Sequence, residues 1–132
     1  MNSPPQVPLR VLIGENNADL AMTLALLLEE TEDIRCVASA SSNKAVMAAV
    51  EAHAPNAFVL DLSLDDGSSL PLITQLRERL PGAAIVVYTG HKNTLLEQHC
   101  LQAGADAMIV KGGEIEELTA ALRGAAQRSA RR

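Results

Sequence analysis

Five short apolar runs alternate with five longer segments that carry apolar residues at helical spacing, and this alternation limits the chain to few folds. The apolar runs are residues 10–14, 34–40, 57–60, 84–88 and 107–110. Each run has the length of a buried strand, and the segments between them have the length of helices. Such an alternation is typical of a parallel sheet that is covered by helices on both faces and connected by right-handed crossovers. The sequence therefore predicts a parallel α/β fold.

Residues that favour helix ends mark the limits of the intervening segments. Asn17, Ser42 and Ser68 each precede a helical pattern and can accept hydrogen bonds from its first turn. Pro81 interrupts the third pattern, and Gly104 follows the fourth pattern as a C-cap. The predicted helices are residues 18–30, 43–53, 69–79, 93–103 and 114–127.

The composition narrows the class of protein and of partner. The chain has 132 residues, of which 48% are hydrophobic and 20% charged, which fits one globular domain and not a disordered chain. Only 2% of the residues are aromatic, namely Phe58 and Tyr88, so the chain lacks a stacking surface for single-stranded nucleic acid. Residues 1–122 hold all 16 acidic residues but only 7 of the 11 basic ones. This acidic body disfavours DNA and anionic membranes as direct partners of the domain.

The two ends of the chain differ in character from the body. Residues 1–8 are rich in proline and are predicted to be a flexible lead-in, whereas residues 128–132 form a basic tail or the start of a linker. The domain itself is predicted at residues 9–127. Cys36 and Cys100 show no CxxC spacing, and the chain has neither a signal peptide pattern nor a long apolar stretch. We therefore predict a cytoplasmic protein without a membrane segment.

Polar residues follow four of the five predicted strands, at the edge of a parallel sheet where ligands bind. Glu15 and Asn16 follow the first strand, Asp61 the third, Thr89 the fourth and Lys111 the fifth. Carboxylate and amide oxygens suit Mg²⁺, while hydroxyl and ammonium groups suit a phosphoryl group. This set predicts phosphoryl transfer, with Asp61 as a nucleophile that carries an aspartyl phosphate. The glycine-rich nucleotide-binding motifs are absent, so nucleotide binding has no support.

Taken together, four segments resemble the receiver domain of two-component response regulators, and the resemblance covers almost the whole of residues 9–127. The segments are residues 10–17 (RVLIGENN), 58–67 (FVLDLSLDDG), 87–90 (VYTG) and 104–111 (GADAMIVK). The resemblance implies a flavodoxin-like, doubly wound (βα)5 three-layer sandwich with a sheet of order 2-1-3-4-5. The loop after Asp61 is most similar to receivers that often precede a helix-turn-helix DNA-binding domain. Whether the natural protein continues into such an output domain is left open.

The resemblance also implies a role for each matching residue. Asp61 would accept a phosphoryl group from a sensor histidine kinase or a phosphotransfer protein, Thr89 would hydrogen-bond to that group, and Lys111 would neutralise its charge. Mg²⁺ would be held by Glu15, Asn16, Asp61 and the backbone carbonyl of Ser63. The domain would act as a switch with at most self-catalysed phosphorylation and dephosphorylation. It could pair with a second copy through the face formed by the fourth helix, the last strand and the fifth helix.

The chain departs from the family pattern at several positions. Family members usually carry two acidic residues after the first strand, and the second of them is Asn16 here. An amide oxygen brings no charge to the metal, so we predict a weakened Mg²⁺ affinity. Whether Asp66 compensates cannot be read from the sequence. The other departures are Asp65 and Gly112, where proline is frequent, Ser69, where glycine is usual, and Met108, where the family has an aromatic switch residue.

Three functions follow from these features, and we rank them. The first is a switch that is phosphorylated on Asp61, and the second is a pseudo-receiver that binds partners without phosphotransfer, as Asn16 and Met108 would favour. The third, a phosphatase, is disfavoured because Ser63 stands where such enzymes carry a general acid. His91 either tunes the access of water to the phosphoryl group, as the resemblance implies, or is a solvated loop residue.

Overall fold

The computed structural model describes residues 8–91 and 93–130. Residues 1–7 of the predicted lead-in and residues 131–132 of the predicted tail lie outside the described residues, so the predicted domain limits stay a prediction. In chain order the elements are β1 (Leu9–Gly14), α1 (Ala18–Leu28), β2 (Ile34–Ala40), α2 (Asn43–His53), β3 (Ala57–Leu60), β4 (Ser63–Leu64), β5 (Gly67–Ser68), α3 (Leu70–Arg79), β6 (Ala84–Thr89), α4 (Thr94–Ala103), β7 (Ala107–Val110) and α5 (Ile115–Ala130).

The five longer strands form one parallel sheet of order β2-β1-β3-β6-β7. Counted over these strands alone, the order is 2-1-3-4-5, so the predicted flavodoxin-like α/β fold is confirmed. The order reverses at β1 and β3, which puts their carboxyl ends at the switch point of the sheet. No described helix is long and apolar enough to cross a membrane.

Helices cover both faces of the sheet and make two separate cores. On one face, Leu12 and Phe58 pack among buried side chains of α2, α3 and α4. On the other face, Val11 and Val59 pack among buried side chains of α1 and α5. Because successive strand residues point to opposite faces, an apolar strand supplies both cores at once. The result is the predicted three-layer sandwich.

The predicted helix caps are confirmed, with one shift. The side chains of Asn17 and Ser42 accept hydrogen bonds from the backbone N–H of Leu20 and Ala45 at 3.1 and 3.0 Å. Gly104 ends α4 with a φ of 124°, a value that favours glycine. The cap of α3 is Ser69, one residue later than predicted, and Ser68 instead accepts a hydrogen bond from the N–H of Leu70. The helix α5 continues to Ala130, beyond its predicted end at residue 127.

A small hairpin occupies the segment after β3, where the sequence pattern predicted only a loop. Its strands β4 and β5 pair Ser63 with Ser68 and Leu64 with Gly67 in an antiparallel register. Asp65 and Asp66 form the turn, and Gly67 follows it with a φ of 118°. Pairs of two-residue strands give too little periodicity to be recognised from sequence.

Candidate functional site

The residues that follow β1, β3 and β7 meet at the carboxyl edge of the sheet. The Lys111 ammonium Nζ lies 2.6 Å from Oδ2 of Asp61 and 2.7 Å from Oε1 of Glu15. β6 lies between β3 and β7, so the lysine side chain reaches across the end of β6 to the two carboxylates. Glu15, Asp61 and Lys111, which are distant in the sequence, therefore form one ionic cluster. The polar residues at the strand ends predicted that these side chains would meet.

The backbone around these residues is fixed by hydrogen bonds that extend the sheet past its last paired residues. The N–H of Asp61 donates to the carbonyl of Gly14 at 2.8 Å, and the N–H of Lys111 donates to the carbonyl of Thr89 at 2.7 Å. The N–H of Glu15 donates to the carbonyl of Ala40 at 2.9 Å. Each charged side chain thus starts from a backbone position that the sheet itself determines.

The three charged groups differ in their access to water. The side chain of Glu15 is 3% exposed, that of Asp61 16% and that of Lys111 23%. Burial of the ammonium works to lower the pKa of Lys111, but its hydrogen bonds and attraction to Asp61 and Glu15 outweigh burial and raise that pKa above its usual value. The site therefore holds a firmly charged cation against two carboxylates. Asp61 is the more accessible of these two.

Glu15 is held from both ends of its carboxylate. Its Oε1 accepts from Lys111, and its Oε2 accepts from the backbone N–H of Asn17 at 3.0 Å. Asn17 is also the N-cap of α1, so its hydrogen bond to Glu15 connects the start of this helix to the site. The position of Glu15 is accordingly set by the start of α1 as well as by Lys111.

Thr89 closes β6 beside these charges and is 7% exposed. Its Oγ1 accepts a hydrogen bond from the backbone N–H of His91 at 3.4 Å, whereas the His91 side chain is exposed. A Cβ placed on Gly90 would have no neighbour within 4 Å, so the backbone next to Thr89 is not crowded. Thr89 is therefore buried at the sheet edge, and the residue that follows it borders open space.

The predicted metal ligands comprise two carboxylates and two weaker oxygen donors. Asn16 is exposed, and the backbone N–H of Ser63 is 3.5 Å from Oδ1 of Asp61, which sets the Ser63 peptide next to the acidic side chain. All of these donors are oxygen atoms, which is the chemistry that Mg²⁺ prefers. Within residues 8–91 and 93–130, no group of three or more His, Cys, Asp or Glu side chains could hold a metal ion. The donor set thus suits Mg²⁺ in kind but is poor in charge.

Asp66 does not add a third carboxylate to this set, which answers the question that the sequence left open. Its Oδ1 accepts from the backbone N–H and the side-chain Nδ2 of Asn43 at 2.7 and 2.9 Å, and its Oδ2 accepts from the N–H of Lys44 at 3.1 Å. Those backbone bonds hold the pKa of Asp66 below its ordinary value. Asp66 therefore fastens the hairpin to the first turn of α2.

Ser69 is a residue of this region that sequence reasoning missed as a site residue. It is fully buried, and its hydroxyl donates to the backbone carbonyl of Asp61 at 2.6 Å. Its only signal in the sequence was the replacement of the usual glycine. With a φ of −90°, this position does not require glycine, so a serine is accommodated without strain.

Two other departures from the family pattern now have a physical reading. Met108 is 2% exposed and packs in the core cluster that includes Cys100, so it serves as a packing residue. Gly112 has a φ of 89°, which proline cannot adopt because its ring fixes φ near −65°. The glycine thus gives the segment after Lys111 a conformation that proline would forbid.

The fold and the acidic sheet edge define a class of protein: flavodoxin-like α/β domains with a carboxylate, a hydroxyl and a lysine at the strand ends. Residues 11–123 match the family described as "Response regulator receiver domain". The chain belongs to this family, whose members are the receiver domains of two-component signalling. Phosphorylation and magnesium are typical of the family.

Individual relatives are similar over most of this chain but are longer than it. One is "Photosynthetic apparatus regulatory protein RegA" of Rhodobacter capsulatus, 30% identical over 112 residues that cover 85% of this chain and 59% of the relative. Another is "Oxygen regulatory protein NreC" of Staphylococcus epidermidis, 28% identical over 116 residues that cover 87% of this chain and 53% of the relative. This chain thus spans little more than half the length of these curated relatives.

Solved structures show the same fold at low sequence identity. A two-component response regulator of the LuxR family from Aurantimonas sp. SI85-9A1 superposes with a TM-score of 0.85 at 19% identity, covering 92% of this chain and 86% of that one. The response regulator domain of CheB from Thermotoga maritima gives a TM-score of 0.80 at 19% identity, with 91% and 97% covered. At this identity the similarity concerns the fold alone.

Proposed function

We propose that this receiver domain is phosphorylated on Asp61 and acts as a switch in two-component signalling. The observation that carries the proposal is the contact of Lys111 with both Asp61 and Glu15 at the ends of three strands. Phosphorylation adds negative charge to the acceptor carboxylate, and a cation held beside that carboxylate stabilises the added charge. Membership of the receiver family supports the same reading.

The proposed step is an in-line transfer to the Asp61 carboxylate. One carboxylate oxygen attacks the phosphorus of a phosphohistidine, an O–P bond forms as the P–N bond breaks, and the leaving imidazole retains its electron pair and takes up a proton. Lys111, already firmly charged, would pair with the added negative charge, and the Thr89 hydroxyl would turn towards a phosphoryl oxygen. Glu15 would keep the ammonium in place during the transfer because both of its oxygens are held.

The residues that would hold Mg²⁺ are Glu15, Asn16, Asp61 and the backbone carbonyl of Ser63. When bound, the ion would supply positive charge that neutralises the phosphoryl oxygens. With Asn16 in place of a carboxylate, the site would bind the ion more weakly than a site with three acidic residues. This weakened affinity is part of the proposal.

The partners and the location are proposed from membership of the receiver family. The phosphoryl donor would be a sensor histidine kinase or a phosphotransfer protein, and the location would be the cytoplasm. This chain spans about half the length of its curated relatives. We therefore also propose that the receiver domain works together with a DNA-binding output domain in the same protein. Self-association would use α4, β7 and α5, where Leu95 and Val110 are exposed.

The experiment that tests the phosphorylation is intact-mass analysis after incubation with acetyl phosphate, with and without Mg²⁺. We expect one added phosphoryl group in wild type and in Asp65→Asn, and none in Asp61→Asn. Asp65 is the matched control because it is an exposed aspartate in the same loop. Labelling that survives Asp61→Asn would contradict the assignment of the acceptor. In a separate turnover assay with a generic phosphate ester, phosphate release beyond one equivalent would favour a phosphatase.

The second candidate is a pseudo-receiver, favoured by the uncharged Asn16 and by Met108, a buried packing residue where the family has an aromatic switch residue. It would bind partners through an unphosphorylated surface. Asn16→Asp separates the two candidates. If wild type stays unlabelled while Asn16→Asp takes up one phosphoryl group, the native domain is a pseudo-receiver with an impaired metal site.

A further inference from the structure

Ser69 is one of a small set of buried polar or charged residues. Among the residues that the structure describes, the buried polar or charged ones are Glu15, Ser69, Thr89 and Thr119. Glu15 and Thr89 stand at the strand ends that form the candidate site. Ser69 donates to the backbone carbonyl of Asp61, and Glu15 shares the Lys111 ammonium with Asp61, so two of these four residues are linked to the proposed acceptor.

Ser69 holds two successive peptide groups at the end of β3. Its hydroxyl donates to the carbonyl of Asp61 at 2.6 Å, and its backbone N–H donates to the carbonyl of Leu62 at 2.9 Å. The carbonyl of Ser69 in turn accepts from the N–H of Ile73 at 3.0 Å, within the first turn of α3. The backbone that carries the Asp61 side chain is thereby anchored to a helix.

Only one of these bonds depends on the side chain of Ser69. Any residue other than proline would keep the backbone N–H bond to the Leu62 carbonyl, but the side-chain bond to the Asp61 carbonyl is made by the serine hydroxyl. That carbonyl belongs to the peptide group that follows the Cα of Asp61, and rotation of this group would displace the backbone N–H of Ser63, which lies 3.5 Å from Oδ1 of Asp61. Loss of that contact would leave the carboxylate free to turn. Since Oδ2 of Asp61 lies 2.6 Å from Lys111, a small rotation is enough to change that contact.

We propose that Ser69 is a positioning residue for phosphoryl transfer to Asp61, because its buried hydroxyl fixes the orientation of the Asp61–Leu62 peptide group. The inference rests on the proposed function of Asp61 and adds a residue to it. Ser69 does not touch the reacting atoms. It acts through the backbone of the acceptor, and it keeps the carboxylate aligned with Lys111 before the phosphoryl donor arrives.

The test compares Ser69→Ala and Ser69→Gly, which lack the hydroxyl, with Ser69→Thr, which keeps it. Ser68→Ala is the matched control because it removes the hydroxyl of the neighbouring, exposed serine, which contacts the start of α3. The rate constant for labelling by acetyl phosphate with Mg²⁺ is measured by intact mass, at a temperature where circular dichroism shows each variant to be folded. The amide resonance of Leu62 is followed by NMR in the same samples.

We expect Ser69→Ala and Ser69→Gly to label about 3- to 10-fold more slowly than wild type, the range for one lost hydrogen bond. Ser69→Thr is expected to label faster than Ser69→Ala, and Ser68→Ala at the wild-type rate. The Leu62 amide resonance should shift in the variants without the hydroxyl and stay in place in Ser68→Ala. A merely structural role would lower the melting temperature and leave the labelling rate of the folded protein unchanged.

The outcomes distinguish this inference from the proposed function. If a folded Ser69→Ala or Ser69→Gly labels at the wild-type rate, or if its Leu62 resonance does not move, the positioning role is overturned and Asp61 remains the acceptor. If Ser69→Ala does not fold, Ser69→Gly decides, because glycine is compatible with the backbone at this position. If wild type itself is not labelled, the proposed function fails and the positioning role fails with it.

Discussion

Lys111 and Asp61 are fifty residues apart in the sequence, yet the ammonium of one lies 2.6 Å from the carboxylate of the other. The same ammonium also contacts Glu15, so one cation joins the ends of β1, β3 and β7. Because Glu15 is nearly inaccessible to water, the cation does more than link the strands: it compensates a buried negative charge. The stability and the chemistry of the site therefore depend on the same side chain.

The first prediction concerns the removal of this cation in Lys111→Ala. Without the ammonium, the carboxylates of Glu15 and Asp61 lose their shared counter-ion, and the charge of Glu15, whose side chain is 3% exposed, is poorly compensated by solvent. We expect the free energy of unfolding in the absence of Mg²⁺ to fall by about 1–3 kcal/mol. Urea unfolding measures this change. Lys44→Ala, at an exposed lysine, is the control, and equal stabilities of the two variants would contradict the role of Lys111.

The second prediction concerns the charge of the metal site. Asn16→Asp adds a carboxylate to a donor set that contains only two, so we expect the Mg²⁺ affinity to rise about tenfold or more. Isothermal titration with MgCl₂ measures it, and the Mg²⁺-dependent rise in melting temperature gives a second readout. Neither measurement depends on phosphorylation.

A matched control for this substitution is available at the next residue. Asn17→Asp adds the same charge, and aspartate is as good an N-cap as asparagine, so α1 keeps its cap. We expect a much smaller gain in Mg²⁺ affinity from Asn17→Asp than from Asn16→Asp. Equal gains in Mg²⁺ affinity would mean that the added negative charge attracts the ion from a distance, and that the residue at position 16 is not a ligand.

The fold was predictable because the strands are solid apolar runs and the helices have clear caps at Asn17, Ser42 and Gly104. These signals are local and strong, so they survive in a single sequence. The hairpin of β4 and β5 was not predictable, because two residues per strand show no periodicity. The end of α5 was predicted too early, at residue 127, whereas the helix continues to Ala130. No helix-breaking residue after residue 127 in the sequence marks where the helix ends.

The site was predictable only to the level of which residues meet. Parallel strands end at one edge, so Asp61 and Lys111 could be expected to approach each other. The role of Asp66 could not be read, because its direction depends on the hairpin turn and on the position of α2. The hydrogen bond of Ser69 to Asp61 depends on the start of α3, which was predicted one residue early.

The third prediction concerns Asp66, whose carboxylate caps α2. Backbone hydrogen bonds from Asn43 and Lys44 lower its pKa below the usual 3.8, so its contribution to stability is present above pH 3.8 and is lost as the pH falls through the lower, folded-state pKa. We expect Asp66→Asn to be less stable than wild type near pH 7, with the difference shrinking below about pH 4. Thermal unfolding at a series of pH values measures it.

The control for Asp66 is its neighbour in the same turn. Asp65→Asn removes the same charge from an exposed position, so it reports the effect of net charge alone. We expect its stability to stay close to that of wild type across the pH range. A pH-independent loss of stability in Asp66→Asn, or the same loss in Asp65→Asn, would contradict a cap formed by the ionised carboxylate.

The fourth prediction concerns the end of α4, where Gly104 adopts a φ of 124°. A Cβ at this position would be strained by the backbone and would lie 2.8 Å from Cβ of Arg77, whose Nε donates to the Gly104 carbonyl at 2.9 Å. We expect Gly104→Ala to lower the free energy of unfolding by about 2–4 kcal/mol, measured by urea unfolding. Gly82→Ala is the control, since a Cβ there has no neighbour within 4 Å, and it should stay within about 1 kcal/mol of wild type. Equal stabilities of the two variants would mean that α4 can end without glycine.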